Sequence, residues 1–318
     1  MTDVHGLTPQ ETAVLTRRVT LYSVTVAAVL VAIKIAAWLV SGSVALLAST
    51  ADSGLDLLAS LTTFFAVRFA VSPPDAEHRF GHGKAEGFAA LVQAGLVFAS
   101  AALIAQQAIG DLIHPKAIAE GAWALAVMGV SVVLTTLLIL AQSRVLKKTS
   151  SVAVSGDRTH YAADLASNLV ALAGIAAAAW LGIGRLDAVA ALAIAALLLW
   201  GAVGVFREAS GQLMDHELPD EVRAQIVDLM TQDRRLTDVH QLRTRASGPY
   251  VHIQMHVDLD PELTLEAAHK VIVAAEDRVL AAFPQADIII HADPRGRAEP
   301  HGGAFAETKG ASKASAEA

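Results

Sequence analysis

The stretch SVALLASTADSGLDLLASLTTFFAV, residues 43–67, is long and apolar enough to cross a bilayer, yet it carries two carboxylates. A membrane span needs about 20 mostly apolar residues. Asp52 and Asp56 lie four residues apart, so a helix places both side chains on one face. An aspartate near the centre of a membrane helix costs roughly 2.5–3.5 kcal/mol to insert. The stretch therefore predicts a membrane helix with a functional polar face.

Five further segments have the length and apolar character of membrane spans. None alternates as a barrel strand does, and a helix is the other way to satisfy the backbone in lipid. Of the 318 residues, 54% are hydrophobic and 17% charged, whereas soluble chains carry roughly 25% charged residues. We therefore predict a six-helix transmembrane domain over 15–211, after an N-terminal cytoplasmic segment, 1–14. The expected spans are roughly 18–40, 44–70, 86–109, 121–145, 160–181 and 186–207.

Basic residues between the spans set the expected orientation. Six spans place both termini on one side of the membrane, and the positive-inside rule assigns the side rich in Lys and Arg to the cytoplasm. Ten basic residues fall on the side of the termini, whereas Lys116 and Arg185 fall on the other. Both termini are predicted to be cytoplasmic. Lys34 lies inside the first span, where we expect it to snorkel or to make a structural pair.

Residues 212–295 have a different character and predict a small cytoplasmic domain. Pro219 and Asp220 are typical of a helix start, and a second helix is expected at 263–283. Alternating apolar and polar residues predict strands at 239–245, 251–258 and 287–291. The order αββαβ indicates an α+β domain of the ferredoxin-like kind. The tail, 296–318, has little apolar surface to bury and is predicted to be disordered.

The negative charge of the protein is concentrated in this second domain. Residues 212–295 contain 8 basic and 15 acidic residues and so account for the formal net charge of −7. An acidic balance favours cationic partners and argues against nucleic acid. The chain has no cysteine, which excludes disulfides, thiolate metal sites and cysteine nucleophiles.

A second polar pair lies in the predicted fifth span. His160 and Asp164 are again four residues apart and share a helix face. If this face meets that of Asp52 and Asp56, three carboxylates and one imidazole come together, enough for a tetrahedral divalent metal. One imidazole among oxygens favours Zn²⁺ or Fe²⁺ over Mg²⁺ or Ca²⁺. A polar network between helices without metal is the alternative that the spacing leaves open.

Two more groups of residues have metal-ligand chemistry. One lies on the connection between spans two and three and consists of Asp75, His78 and His82. The other is spread through the acidic domain and consists of His240, His256, His269, His291 and Asp293. His291 and Asp293 are two apart on a strand, so their side chains point the same way. Each histidine also has an ordinary structural interpretation, as a surface or packing residue.

Together these features resemble the cation diffusion facilitator family, most closely its bacterial zinc/proton antiporters. The likeness covers about residues 15–295. Five motifs carry it in order: SVALLASTADSGLD (43–56), FGHGKAE (80–86), HYAAD (160–164), DVHQLRTR (238–245) and IHADP (290–294).

The resemblance implies a role for each group of residues. It assigns a transport site to Asp52, Asp56, His160 and Asp164. The His at the start of HYAAD is typical of zinc-type members, and manganese-type members have Asp there. It further implies a loop zinc site at Asp75, His78 and His82, and a binuclear cytoplasmic site, bridged by Asp293, at His240, His256, His269, His291 and Asp293.

The resemblance also implies how the protein is assembled and where it is found. Family members form homodimers through their cytoplasmic domains, and Lys84 and Asp215 match a charge pair between subunits. The expected location is the bacterial cytoplasmic membrane, with the lipid bilayer as a partner. His252 stands where the relatives have an apolar residue, so no role is implied for it, although an imidazole there adds a further potential ligand.

These observations predict a divalent cation efflux transporter rather than an enzyme. Zn²⁺ is the expected cargo, and Cd²⁺ and Fe²⁺ also suit the ligands. Metals bind deprotonated ligands, so a site containing His160 is expected to exchange metal for protons by alternating access, regulated by metal in the cytoplasmic domain. An intramembrane metalloprotease is disfavoured because no His-Glu-x-x-His motif is present. A membrane sensor that binds metal without transporting it is the alternative.

Overall fold

The computed structural model describes residues 7–42, 44–113, 122–181 and 185–297. The expectations for Lys116 and for the tail beyond residue 297 lie outside these ranges. The described chain forms two compact units, one spanning Gln10–Met214 and the other beginning at Asp215.

Six long helices make up the described part of the first unit, in agreement with the predicted number. Five of them are long and apolar enough to cross a membrane, whereas the first half of α5 contains two aspartates, an arginine and a histidine, Asp157, Asp164, Arg158 and His160. The helices are α1 (Pro9–Ser41), α2 (Val44–Ala70), α3 (Ala85–Ile113), α4 (Ala122–Leu146), α5 (Val152–Leu181) and α6 (Arg185–Leu213).

Two helices begin well before the predicted spans. Helix α1 starts at Pro9 rather than near residue 18, and α5 starts at Val152 rather than near residue 160. Hydropathy detects the apolar part of a helix, whereas the backbone hydrogen bonds continue through polar turns at its end. The early start of α5 matters for the site, because it places Asp157 inside the helix.

Small side chains bring the helices into close contact. Gly156 of α5 lies against α3, where an added Cβ would be 3.1 Å from the Gln93 Cβ and 3.3 Å from the Ala90 Cα. Ala90, Ala153 and Ala202 have no exposed surface. Interfaces between membrane helices use such small residues because they let the backbones approach. The close approach of α3 and α5 brings polar side chains within hydrogen-bonding distance.

The second unit has the predicted αββαβ order. It consists of α7 (Asp220–Thr231), β1 (Val239–Ser247), β2 (Tyr250–Leu259), α8 (Leu265–Ala282) and β3 (Ala286–Pro294). The sheet order is β1-β2-β3, with β1 antiparallel and β3 parallel to β2.

The two sides of this sheet have different surroundings. The odd-numbered residues of β2, such as Ile253 and Met255, are buried in a core shared with Ile226 of α7 and Val279 of α8. Successive side chains in a strand point to opposite faces, so the even-numbered residues face away from that core. His256 therefore lies on the side of the sheet opposite the helices.

Candidate metal centres

An imidazole and two carboxylates meet between α2 and α5. His160 Nε2 lies 3.1 Å from Asp56 Oδ1 and 3.7 Å from Asp164 Oδ2. One potential ligand atom from each of the three lies within 4.8 Å of the others. His160 is 4% exposed, whereas both carboxylates are partly exposed. The arrangement places three potential ligands around one point inside the helical unit, as a divalent cation requires.

Asp52 lies outside this group of three. It is exposed, one helical turn before Asp56 on α2. Among the described residues, the cluster of ligand atoms around His160 does not include a carboxylate oxygen of Asp52. The structure therefore brings together three of the four residues that were predicted to meet, and Asp52 is the one left out. Three protein ligands leave the fourth position of a tetrahedral metal to be filled by water or by Asp52.

A buried carboxylate just before this site was not predicted from the sequence. Asp157 of α5 is fully buried. It accepts hydrogen bonds from Gln93 Nε2 of α3 at 3.1 Å and Gln142 Nε2 of α4 at 2.8 Å. Ser60 of α2 lies 3.5 Å away. One carboxylate therefore links four helices.

Neighbouring groups extend this network to α1 and to the metal-binding face. Gln142 also donates to Ser23 Oγ of α1 at 3.1 Å, and the Tyr161 hydroxyl donates to the Ser23 carbonyl at 3.2 Å. Tyr161 follows His160 in the chain and also contacts Ser60. The available signal was the presence of Gln93 and Gln142 inside apolar spans, where unpaired amides are costly.

Replacing Asp157 by alanine is expected to destabilise the helical unit by about 2–4 kcal/mol. The amide donors of Gln93 and Gln142 each lose an acceptor, and a cavity remains. The change is measured as thermal unfolding of the detergent-solubilised protein. Asp157→Asn should keep more than half of the stability that Asp157→Ala loses. The buried Oε1 atoms of Gln93 and Gln142 have no hydrogen-bond partner within the described ranges, so a rotated amide can accept from the new side chain.

The control for Asp157 is Thr62→Ala. Thr62 lies on exposed α2 surface and bonds to the carbonyl of its own helix at Leu58. Its replacement should change stability by less than about 0.5 kcal/mol. An Asp157→Ala protein as stable as Thr62→Ala would show that the network does not hold the helices together.

The predicted loop ligands meet between α2 and α3. His82 Nε2 lies 3.2 Å from Asp75 Oδ2, and His78 Nδ1 lies 3.3 Å from Asp75 Oδ1. The two imidazole rings are 4.7 Å apart. His82 is largely buried against Phe69, whereas Asp75 and His78 are exposed. The three side chains therefore form a compact potential chelate.

Backbone hydrogen bonds in this loop stabilise the ionised form of Asp75. The N–H groups of His78 and Glu77 donate to Asp75 Oδ1 at 2.6 and 2.9 Å. The hydrogen bond from the His78 backbone, reinforced by that from Glu77, lowers the pKa of Asp75 below its ordinary value. The carboxylate thus stays charged at a pH where a free aspartate begins to take up a proton.

The cytoplasmic candidates form a row across the sheet. His240 pairs with His256 between β1 and β2, and His256 pairs with His291 between β2 and β3. Asp293 lies 2.9 Å from His256 Nδ1, 3.3 Å from His240 Nε2 and 3.4 Å from His291 Nε2. A bulge follows His240, where Gln241 has φ of 50°. Three imidazoles thus surround one buried carboxylate, and His240, His256 and Asp293 each offer a ligand atom within 4.8 Å of the others, a donor set that fits Zn²⁺. His291 contacts Asp293 but lies outside this group of ligand atoms.

The remaining predicted residues lie apart from these groups. His269 is exposed on α8 and does not belong to the three clusters found among the described ligand atoms. His252 Nδ1 lies 3.1 Å from Asp287 Oδ2, so it pairs across β2 and β3 instead. Lys84 donates to the Leu213 carbonyl at 3.2 Å, and Asp215 contacts Arg245 at 3.2 Å. The pairing of Lys84 with Asp215 between subunits stays a prediction.

Comparison with known proteins gives matches over most of the chain. Residues 20–214 match the family profile described as the cation efflux transmembrane domain, and residues 218–295 match the cation efflux protein cytoplasmic domain. The cation-efflux pump FieF of Citrobacter koseri is 40% identical over 280 residues, 88% of this chain and 93% of the relative. FieF of Serratia proteamaculans is 39% identical with the same coverage.

A match among solved structures is limited to one part of the chain. That structure is of a putative zinc transporter, CzrB, in its zinc form. The match is 30% identical and covers 27% of this chain and 99% of the other, with a TM-score of 0.25.

Proposed function

The chain belongs to the cation diffusion facilitator family of cation efflux transporters, and we propose that it exports Zn²⁺ from the cytoplasm in exchange for protons. The observation that carries this proposal is the meeting of Asp56, His160 and Asp164 inside the helical unit. Three adjacent titratable groups in an apolar helix bundle are expensive to insert, and a cation offsets that cost.

The ligand types favour Zn²⁺ as the cargo. An imidazole nitrogen suits Zn²⁺, Cd²⁺ and Fe²⁺ better than Mg²⁺ or Ca²⁺, which prefer oxygen. The absence of cysteine excludes thiolates, which bind Zn²⁺ tightly. A shell of carboxylates and one imidazole therefore suits a cargo that must be released in each cycle. Cd²⁺ and Fe²⁺ are the further cargoes that this shell admits.

Protons are the proposed counter-substrate because they compete for the same ligand atoms. His160 binds a metal only through a neutral imidazole, so metal binding expels any proton that the ring holds. Nε2 of His160 faces both Asp56 and Asp164, so a protonated ring is held by the same carboxylates that hold the metal. Exposure of the site to one membrane face at a time then links inward proton movement to outward metal movement.

The sharpest test is metal flux into proteoliposomes under an imposed pH gradient. Zn²⁺, Cd²⁺, Fe²⁺ and Mn²⁺ are offered separately to the wild-type protein. We expect Zn²⁺ uptake that needs the gradient and stops when a protonophore dissipates it. Binding of Zn²⁺ without flux would instead identify a metal sensor, and uptake independent of the gradient would exclude proton antiport.

Replacing His160 by aspartate is expected to change which metal is transported. A site with only carboxylate ligands suits Mn²⁺ better than a site with an imidazole does, so the ratio of Zn²⁺ to Mn²⁺ transport should fall at least tenfold. Competition between the two metals in the same liposomes measures this ratio directly. His216→Asp is the matched control, because His216 is exposed in the second unit and bonds to the Glu217 carbonyl. An unchanged ratio in His160→Asp would remove His160 from the selectivity determinants.

We further propose that the second unit binds metal to regulate transport in a homodimer. Its acidic residues repel those of a second copy, and cations bound at the three-histidine row neutralise part of that charge. We also place both termini in the cytoplasm, on the distribution of Lys and Arg described above.

A further inference from the structure

A lysine side chain lies beside the proposed transport site. Lys34 is in the last third of α1, inside one of the apolar helices long enough to cross a membrane. Its Nζ donates to Ser53 Oγ of α2 at 2.7 Å and to the Ser49 carbonyl at 3.2 Å. The side chain therefore pairs with a neighbouring helix, rather than extending along its own helix to the membrane surface.

The acceptors of Lys34 lie on the metal-binding side of α2. Ser49, Ser53 and Asp56 follow one another at intervals of four and three residues, so they line one face of the helix. Ser53 is 2% exposed and directly follows Asp52. The ammonium is thus attached to the same helix face that presents Asp56 to His160.

Three carboxylates of the site attract this ammonium. Asp56, Asp164 and Asp52 each interact electrostatically with Lys34. Charges away from bulk water interact more strongly because the effective dielectric constant is low. Asp52, which lies outside the ligand cluster, still belongs to the charge environment of the site through this interaction.

The sum of these charges suits a divalent cation. Asp52, Asp56, Asp164 and Lys34 together carry two negative charges when His160 is neutral, and one divalent cation cancels them; Asp157 is not counted, because its carboxylate is hydrogen-bonded to Gln93 and Gln142 instead. Without Lys34 the loaded site would keep a net negative charge, and the site would bind the cation more strongly. The ammonium also repels the metal itself, and it does so in the loaded state alone.

We propose that Lys34 is a built-in counter-charge of the transport site, which weakens metal binding enough for rapid release. This inference rests on the proposed transport function. The ammonium stabilises the carboxylates after the metal has left and repels the metal while it is bound. Affinity differences of this kind appear mainly in the dissociation rate. Lys34 is thus a positioning and charge-setting residue that is not itself a ligand.

The test compares Lys34→Gln with Lys34→Arg in the full-length protein. Glutamine removes the charge and keeps a hydrogen-bond donor, whereas arginine keeps the charge. Zn²⁺ binding is measured by titration calorimetry in detergent, and the transport-site component is the part of the isotherm that Asp56→Ala removes. Zn²⁺ uptake into proteoliposomes gives KM and kcat for the same proteins.

Lys34→Gln is expected to bind Zn²⁺ at the transport site at least tenfold more tightly. Its KM should fall, and its kcat should fall at least tenfold because release is slower. Lys34→Arg should remain within about threefold of wild type in both, since it keeps the charge. A residue that only fastened α1 to α2 would lower kcat without tightening binding.

Ser53→Ala keeps the proposal testable if Lys34→Gln does not fold. This change removes the 2.7 Å hydrogen bond but leaves the ammonium charge. A counter-charge role predicts that both the Zn²⁺ affinity and the kcat of Ser53→Ala stay within about threefold of wild type, whereas a fastening role predicts that its kcat falls at least tenfold.

The outcomes separate this inference from the proposed function. Unchanged or weaker Zn²⁺ binding in Lys34→Gln overturns the counter-charge role, even if the wild type transports Zn²⁺. Tighter binding in Lys34→Gln together with no flux in the wild type supports the counter-charge and overturns the transport proposal.

Discussion

Asp56→Ala is expected to reduce Zn²⁺ flux by at least 100-fold. Asp56 Oδ1 lies 3.1 Å from His160 Nε2 and is the carboxylate of α2 in the ligand cluster. Its loss removes a metal ligand and one of the contacts between α2 and α5, whereas loss of an outer partner of a metal typically costs 10–100-fold. The measurement is initial Zn²⁺ uptake into proteoliposomes at a fixed pH gradient.

Two further variants decide what the loss of flux means. Asp228→Ala removes an exposed carboxylate of α7 that lies outside the clusters of potential ligands among the described residues, and it should transport like the wild type. The flux of Asp52→Ala, compared with that of Asp56→Ala, shows whether the predicted fourth ligand matters as much as one of the three that the structure brings together. Normal flux in Asp56→Ala would reject this group as the transport site. A loss in Asp52→Ala as large as that in Asp56→Ala would place Asp52 among the ligands during transport.

The second large effect is expected at the cytoplasmic row, where Asp293→Ala should weaken metal-dependent dimerisation at least tenfold. Asp293 is 4% exposed and lies within 3.4 Å of three imidazoles. Without it the metal loses its anionic ligand, and the acidic domain loses the cation that offsets repulsion between copies. Dimer dissociation of the full-length protein in detergent, with and without Zn²⁺, measures the effect by analytical ultracentrifugation.

Asp287→Ala is the matched control for this experiment. Asp287 is also a carboxylate of β3 that contacts a histidine, His252, but it lies outside the three-histidine row. Its removal should leave the Zn²⁺-dependent part of dimer affinity within about threefold of wild type. If Zn²⁺ does not change dimer affinity even in the wild type, metal-driven dimerisation is wrong. If Asp293→Ala dimerises normally with Zn²⁺, the bridging role of Asp293 is wrong.

Much of the fold follows from periodicity that can be read along the chain. Long apolar stretches predict the helices of the first unit, because lipid leaves few ways to satisfy the backbone. Alternation and helix signals predict α7, β1, β2, α8 and β3 in the correct order. The sharing of a face by His160 and Asp164 also follows from the spacing, because the geometry of a helix is local.

The sequence by itself therefore determined the helices, the order αββαβ and the pairs of polar residues that share a face. It did not determine where α1 and α5 begin, since polar residues near the N-terminal end of each helix weaken the hydropathy signal there. The tertiary structure decided that Asp56 meets His160, while Asp52, His269 and His291 lie outside the clusters of ligand atoms among the described residues.

It also decided that His240, His256 and His291 form one row and that Asp157 joins four helices. These contacts join residues far apart in the chain. They depend on strand register and on how closely α3 and α5 approach at Gly156. The packing of the whole unit determines both, whereas the local spacing of residues in the sequence does not.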